Sequence, residues 1–212
     1  MGVELNQSDT GIRCSASDTQ TKTLTTYEGN FEKYLTETPS KVSGDFKNFF
    51  QTILLLLPLE AVMLEIGSGT GRDADYFEEH GVTVLRTDAT QSFIKYQRQN
   101  GKMIIERNIL IHEIGYDWNV IFANAVLLHF TKEEFSFVLM KMARSLAPNG
   151  IIAFTVKVGT GEEWSTHKMD APRFFKYWEL HELQTVVEEC GYKITYLQYA
   201  TEGTRLFCIA SI

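Results

Sequence analysis

The chain has few of the residues that build metal and redox centres. Of its 212 residues only three are cysteines. Cys14, Cys190 and Cys208 lie far apart, and no CxxC spacing occurs. That argues against a zinc ribbon or a thiol–disulfide pair. Cys190 falls in a helical pattern and Cys208 in a strand pattern, so both read as small core residues. His112, His167 and His181 have no ligand-spaced partners, and no metal is expected. Long apolar runs are also absent. Ile53–Leu57 is far short of the roughly 20 residues that cross a bilayer. The opening Met1-Gly2-Val3-Glu4-Leu5-Asn6 is neither basic nor followed by an apolar stretch, unlike a signal peptide. Without export, the glycosylation-type triplet Asn6-Gln7-Ser8 carries no meaning. The expectation is a cytoplasmic protein with no membrane partner. Lys and Arg form no dense cluster, and the formal net charge is -7. No nucleic-acid partner is therefore expected.

What is present is concentrated at Val62-Met63-Leu64-Glu65-Ile66-Gly67-Ser68-Gly69-Thr70-Gly71-Arg72. An apolar run of strand length breaks into three alternate glycines, and Asp73-Ala74-Asp75-Tyr76-Phe77 then starts like a helix. Strand, glycine turn and helix N-terminus together bring bare backbone close to a ligand. The spacing is GxGxG, not the GxGxxG of nicotinamide and flavin binders. It points instead to S-adenosylmethionine, whose amino-acid head can sit at a helix N-terminus. Val82–Thr87 reads as the next strand and ends at Asp88. That acid lies 21 residues after Gly67, near the roughly 20-residue offset of a ribose-binding carboxylate. Asp88 could alternatively serve as a turn or helix-cap residue.

Around this unit strands and helices alternate. Strands are expected at 61–66, 82–87, 103–106, 119–123 and 151–157, and helices at 71–80, 90–100, 132–146 and 179–190. The strands are short apolar runs, as in a parallel sheet covered on both faces. Ser43 reads as an N-cap for a helix that Pro58 ends. Pro148-Asn149-Gly150 reads as a turn before the fifth strand. Two last strands, 193–199 and 204–210, are joined by a loop too short for anything but an antiparallel pair. Residues 1 to about 22 are polar and aperiodic, and they read as a flexible N-terminal arm. A single domain is expected over 23–212. Its cap helices occupy 23–60, and a substrate lid is one reading of 159–180.

In order and in residues, the chain resembles the class I S-adenosylmethionine-dependent methyltransferase family, in its small-molecule branch. LEIGSGTGRDADYF, VTVLRTDAT, YDWNVIFANAVLLHF, LAPNGIIAFTVKVG and FFKYWELHELQTVVEECGY carry the resemblance across roughly residues 27–212. It implies an α/β fold, a Rossmann-like three-layer sandwich. Its seven-stranded sheet would be mostly parallel, with the last strand antiparallel. It implies S-adenosyl-L-methionine as cofactor. Glu65, Gly67, Ser68, Gly69 and Gly71 would surround its methionine half, Asp88 its ribose and Ala89 its adenine. Asn124 and Ala125 would face the reacting end, and Tyr34 would close over the cofactor. The acid that often meets the adenine amino group has no clear counterpart here, and Asn108 or Leu110 takes its place.

The implied reaction is methyl transfer to an O, N or S atom of a small-molecule acceptor. After the fourth strand the chain reads Asn124-Ala125-Val126-Leu127, not the Asn/Asp-Pro-Pro-aromatic segment of base-amine methylation. His129 reads either as a hydrogen-bonded core residue or as a substrate-facing one that could, with Asn124, act in catalysis. Arg173 and Tyr177 belong to an aromatic segment, Arg173–Trp178. That segment is either a structural cluster or a substrate lid in which Arg173 offers a fork to a carboxylate or phosphate. A cofactor-binding module without turnover, or a protein or peptide methyltransferase, remains as an alternative. Oligomeric state is left open.

Overall fold

The computed structural model describes residues 17–212. Three N-terminal helices, α1 (Asp18–Gly29), α2 (Phe31–Glu37) and α3 (Gly44–Leu56), precede an alternating series. That series runs β1 (Val62–Ile66), α4 (Arg72–Glu79), β2 (Thr83–Asp88), α5 (Gln91–Gln99), β3 (Ile104–Glu106), β4 (Trp118–Ala123), α6 (Lys132–Ala143) and β5 (Leu146–Val158). A hairpin follows, β6 (Glu162–Ser165) with β7 (Arg173–Trp178). The chain closes with α7 (Leu180–Glu189), β8 (Lys193–Tyr199) and β9 (Arg205–Ser211).

β2, β1, β4 and β5 run parallel in that order, with β3 outside β2. β9 pairs antiparallel with both β5 and β8, so the reversed strand lies between two others. β3-β2-β1-β4-β5-β9-β8 is thus the expected seven-stranded, mostly parallel sheet. The β6–β7 hairpin was not anticipated. It is joined to the end of β5 through Lys157 and Val158, which pair with Tyr177 and Trp178 of β7.

Alternate residues of each central strand feed two cores. Leu64, Ile121, Ile152, Phe154, Leu206 and Cys208 enter one, with Phe135 and Leu139 of α6 and Leu183 and Val187 of α7. Met63, Val120, Phe122, Ala153, Phe207 and Ile209 enter the other, with Phe49, Phe50 and Ile53 of α3 and Phe77 of α4. Two-sided burial of this kind is why the strands are apolar throughout rather than alternating. Helices on both faces make the three layers.

Three boundaries differ from the sequence reading. The flexible arm expected to reach residue 22 ends sooner: α1 begins at Asp18, and the Ser17 hydroxyl caps it by accepting from the Gln20 amide. The earlier part of that arm, with Cys14 and Asn6-Gln7-Ser8, lies outside the described residues. Ser43 holds the N-cap position of α3 but makes no side-chain cap bond. Pro148-Asn149-Gly150 is a bulge inside β5. Asn149 has a φ of 61°, and the β4–β5 register shifts there. A Cβ on Gly150 would come 2.6 Å from the Trp118 carbonyl, so glycine is required.

Cys190 and Cys208 are free thiols. Among the described residues, no helix is long and apolar enough to cross a membrane.

Candidate active site

The sheet order changes direction between β1 and β4, and the loops at the carboxyl ends of these strands form the site where open α/β sheets bind ligands. The glycine loop after β1 is held from below. The carboxylate of Asp88 is buried at the end of β2. One oxygen accepts from the Gly69 amide at 2.8 Å, and the other from the Thr90 amide at 2.8 Å. Burial pushes this carboxyl above its ordinary range, while the amide bonds pull it back. Asp88 is therefore both a turn residue and a wall of the cavity.

Two further side chains brace the loop. Gln97 of α5 donates to the Gly69 carbonyl at 3.0 Å. Arg86, only 1% exposed, donates to Gln97 and to the Gly71 carbonyl, and it pairs with Asp75 and Glu78. Sequence reading missed both, because a single Gln or Arg inside an element carries no pattern.

The three glycines face different surroundings. A Cβ on Gly67 would come 2.5 Å from Val126, and one on Gly71 would come 2.8 Å from Arg86. A Cβ on Gly69 would meet nothing closer than 4.0 Å, because it would project into open space. All three have positive φ, which glycine adopts freely.

Beyond β4, Asn124 and Ala125 border the same space. The Asn124 amide donates to Asp73 at 2.7 Å, while its carbonyl oxygen accepts from the Thr155 hydroxyl at 2.7 Å. That hydroxyl in turn accepts from the Ala125 amide at 2.9 Å. Ala125 is thereby held at a φ of 57°, against the usual preference of a residue with a Cβ.

Two cavities meet at this seam, with Tyr34 on the wall of both. The first encloses about 700 Å³ and is lined by Asp88, Ala89, Thr90, Phe93, Asn108 and Ile109. The second encloses about 840 Å³ and is lined by Ser68, Thr70, Arg72, Phe46, Lys168 and Arg205. The Tyr34 ring lies against Tyr27 and Phe93, and burial raises its phenol well above the usual range. Glu65 and Ser68 are buried near the loop, and the Ser68 hydroxyl is one of the groups that draw the Glu65 carboxyl down. Burial, with Asp73 nearby, pushes the Glu65 carboxyl up to about 8.

Of the two residues expected after β3 to take the place of an adenine-contacting acid, Asn108 lines the first cavity. Its amide pairs head to head with Gln20 of α1, in two bonds of 2.9 Å. Its oxygen also accepts from the Leu110 amide, and the Leu110 side chain is buried in the core.

His129 borders the first cavity, yet both ring nitrogens are engaged. Nδ1 donates to the Phe174 carbonyl at 2.6 Å, and Nε2 accepts from the Tyr27 hydroxyl at 2.8 Å. A carbonyl can only accept, so the tautomer is fixed. Burial pushes the imidazole down to about 3, despite the Phe174 carbonyl.

Arg173 is buried in β7. It donates to the Tyr27 hydroxyl and the His167 carbonyl, so its fork is already in use within the protein. Tyr177 donates to Glu163 across the hairpin, and burial with that carboxylate pushes its phenol up to about 12. Tyr177 lines neither cavity. Phe174, Phe175 and Trp178 are buried. The aromatic segment is thus a packed strand.

With this geometry in view, the comparisons with known proteins fall into place. Residues 64–152 match the sequence model of a family described as a methyltransferase domain. No curated protein matches the chain. Among solved structures, the CcbJ methyltransferase from Streptomyces caelestis aligns with a TM-score of 0.68 at 15% identity, covering 88% of this chain and 97% of that one. The 1,6-didemethyltoxoflavin-N1-methyltransferase of Burkholderia thailandensis, solved with its substrate and S-adenosylhomocysteine, aligns with a TM-score of 0.67 at 17% identity, covering 88% and 84%. A TehB-like methyltransferase from Corynebacterium glutamicum aligns with a TM-score of 0.62 at 16% identity, covering 89% and 97%. The matched segment spans β1 to β5, the part that builds the glycine loop, Asp88 and Asn124. Residues 64–152 are thus similar to a methyltransferase domain, and the chain shares the fold of these solved methyltransferases.

Proposed function

We propose that this protein is an S-adenosylmethionine-dependent methyltransferase acting on an O, N or S atom of a small molecule by direct displacement. The observation that carries this reading is the open space above Gly69, framed by Asp88 on one side and Asn124–Ala125 on the other. The residues present fit the cofactor. Asp88, an acceptor-only carboxylate held by backbone amides on the wall of the first cavity, is placed to accept a ribose hydroxyl. Ser68 lines the second cavity beside Gly67 and Gly69, where the cofactor's amino-acid end would lie. Asn108 and Gln20 border the first cavity with their amide edges turned to each other, which leaves each one N–H, and Gln20 one lone pair, for an adenine. Bound there, the cofactor would supply an activated methyl group on a cationic sulfur.

The chain's own task is then alignment and exclusion of water. Thr155 fixes Asn124 and Ala125. Tyr34 stands on the wall of both cavities; the methionine half would reach into the second past Gly67, Ser68 and Gly69, and the far end of that cavity, at Phe46, Lys168 and Arg205, is left for the acceptor. His129 is a positioning residue. Neutral and fixed in one tautomer, it holds Tyr27 at the cavity wall and has no free lone pair for an acceptor's proton. A deprotonated or already nucleophilic acceptor suits this site.

Isothermal titration with S-adenosylhomocysteine, followed by a metabolite panel read out as S-adenosylhomocysteine formation, tests the reading. Binding with turnover of a small molecule supports it. Binding without turnover on small molecules, but with turnover on peptides or none at all, would sink the acceptor assignment. No binding would sink the whole.

A further inference from the structure

The acceptor side of the site carries positive charge that the fold does not neutralise. Lys157 of β5 and Arg205 of β9 are directly opposite in an antiparallel register, so their side chains leave the same face of the sheet. Like charges so placed are destabilising. Thr155 lies two residues before Lys157 on that face, and it holds Asn124 and Ala125 at the reacting end. The cationic pair therefore stands one step along the strand from the reacting end.

Among the described residues neither cation makes a hydrogen bond or an ion pair. Arg205 Nη1 is fully buried without a partner, and the guanidinium lies 5.6 Å from the Phe46 ring. Lys157 Nζ sits 3.7 Å from the Phe175 ring centre. Lys168 reaches the same cavity as Arg205 from the loop after β6, donating to Thr38 and lying 4.2 Å from the Tyr34 ring centre. Burial holds all three below their ordinary pKa values, and neighbouring cations add to the effect. The opposing carboxylates act only at longer range, Glu163 on Lys157 and Glu37 on Lys168. In a chain of net charge -7, leaving these cations unpaired is costly unless an anion completes them.

Resting on the methyltransferase reading, we infer that the methyl acceptor carries an oxyanion, a carboxylate or phosphate-type group, held in the second cavity by Arg205 and Lys168, with Lys157 adding its charge from the cross-strand position beside Arg205. Arg173, the cation the sequence singled out, is committed to Tyr27 and His167 and does not serve.

The test uses the full chain saturated with S-adenosylhomocysteine and titrated with inorganic phosphate at fixed ionic strength by calorimetry. The parent should show saturable binding. Arg205→Gln should weaken it roughly ten- to hundredfold, the loss of one charge-assisted hydrogen bond, and Lys157→Met, whose charge acts from outside the cavity, by a smaller factor. Affinity for S-adenosylhomocysteine should stay within about twofold, which also shows that the variants are folded. Arg205→Lys, the milder change, should keep part of the phosphate affinity. Phosphate that competes with S-adenosylhomocysteine would mean that the cations hold the cofactor's own carboxylate, and would overturn the proposal. So would a parent that binds S-adenosylhomocysteine and ignores phosphate, an outcome that leaves the cofactor reading standing. A parent that binds neither overturns both.

Discussion

Replacing Gly69 separates binding from folding more sharply than any other change at this site. Its φ is 54°, so any residue with a Cβ takes on a left-handed penalty of about 1–2 kcal/mol. A Cβ there meets no atom of the chain closer than 4.0 Å, so no clash adds to that cost. For a chain of this length each kcal/mol lowers Tm by about 2–4 °C. Gly69→Val should therefore fold, with Tm down by roughly 2–8 °C. Its methyl groups, however, fill the floor of the cavity where the cofactor's amino-acid end is assigned. Displacing a ligand by even about 1 Å from a fitted site is a large perturbation. The expected loss of S-adenosylhomocysteine affinity is at least about 100-fold, nearly 3 kcal/mol. Gly71→Ala is the control. Its Cβ would sit 2.8 Å from the buried Arg86 guanidinium and 3.0 Å from Gln97, so its principal effect is on stability. Calorimetry with S-adenosylhomocysteine and thermal melts of both variants decide the matter. A folded Gly69→Val chain that binds as tightly as the parent would refute the placement of the ligand.

Three further outcomes are expected. The folded chain binds more protons than the unfolded at Glu65 between an ordinary 4.5 and about 8, so stability falls with rising pH there by about 1.4 kcal/mol per unit. His129, pushed from 6.5 down to about 3, makes stability rise with pH between those values. Urea denaturation of the ligand-free chain should thus show a plateau from about 4.5 to 6.5 and a decline toward 8, which Glu65→Gln removes; an unchanged decline in that variant counts against the assignment. Tyr27→Phe leaves His129 Nε2 and one Arg173 nitrogen without their shared hydroxyl and should cost about 1–3 kcal/mol, measured by the same method; a neutral result would mean the His129–Tyr27–Arg173 chain does not contribute. Asn108→Ala breaks the paired amides with Gln20 and should speed amide exchange in α1 while leaving β1 and β4 protected; equal exchange in both proteins would contradict the pairing.

The βα units were readable because both faces of the sheet are buried, which writes each strand as an apolar run. Val62–Ile66 and Trp118–Ala123 differ from the expected spans by a residue at one end, and Thr83–Asp88 by a residue at each end. The glycine spacing and Asp88 were legible for the same local reason: the turn needs them in sequence. α1 was not, because its buried residues are Gln20, Thr23 and Thr26, and a helix whose hidden face is polar has no hydrophobic period. The β6–β7 hairpin escaped because Arg173–Trp178 mixes charge and aromatics in a way that suits a surface cluster equally well. His129 shows the limit at single residues. Its neighbourhood in sequence placed it at the cavity, but only the Phe174 carbonyl, 45 positions away, decides what its nitrogens can do. Arg205 lay outside attention because its meaning depends on Lys157, a cross-strand neighbour.

The polar underside of α1 forms part of the wall of the first cavity. Gln20 is tied to Asn108, Thr23 accepts from the Phe174 amide, Thr26 donates to the Pro172 carbonyl and Tyr27 donates to His129. Water can replace bonds of these kinds one for one, whereas it cannot replace apolar contacts. The first helix is therefore fastened like a zipper rather than glued. If the first cavity holds the proposed cofactor, this helix is the part of its wall that would part from the sheet most readily, while the cores on the sheet's two faces stay shut.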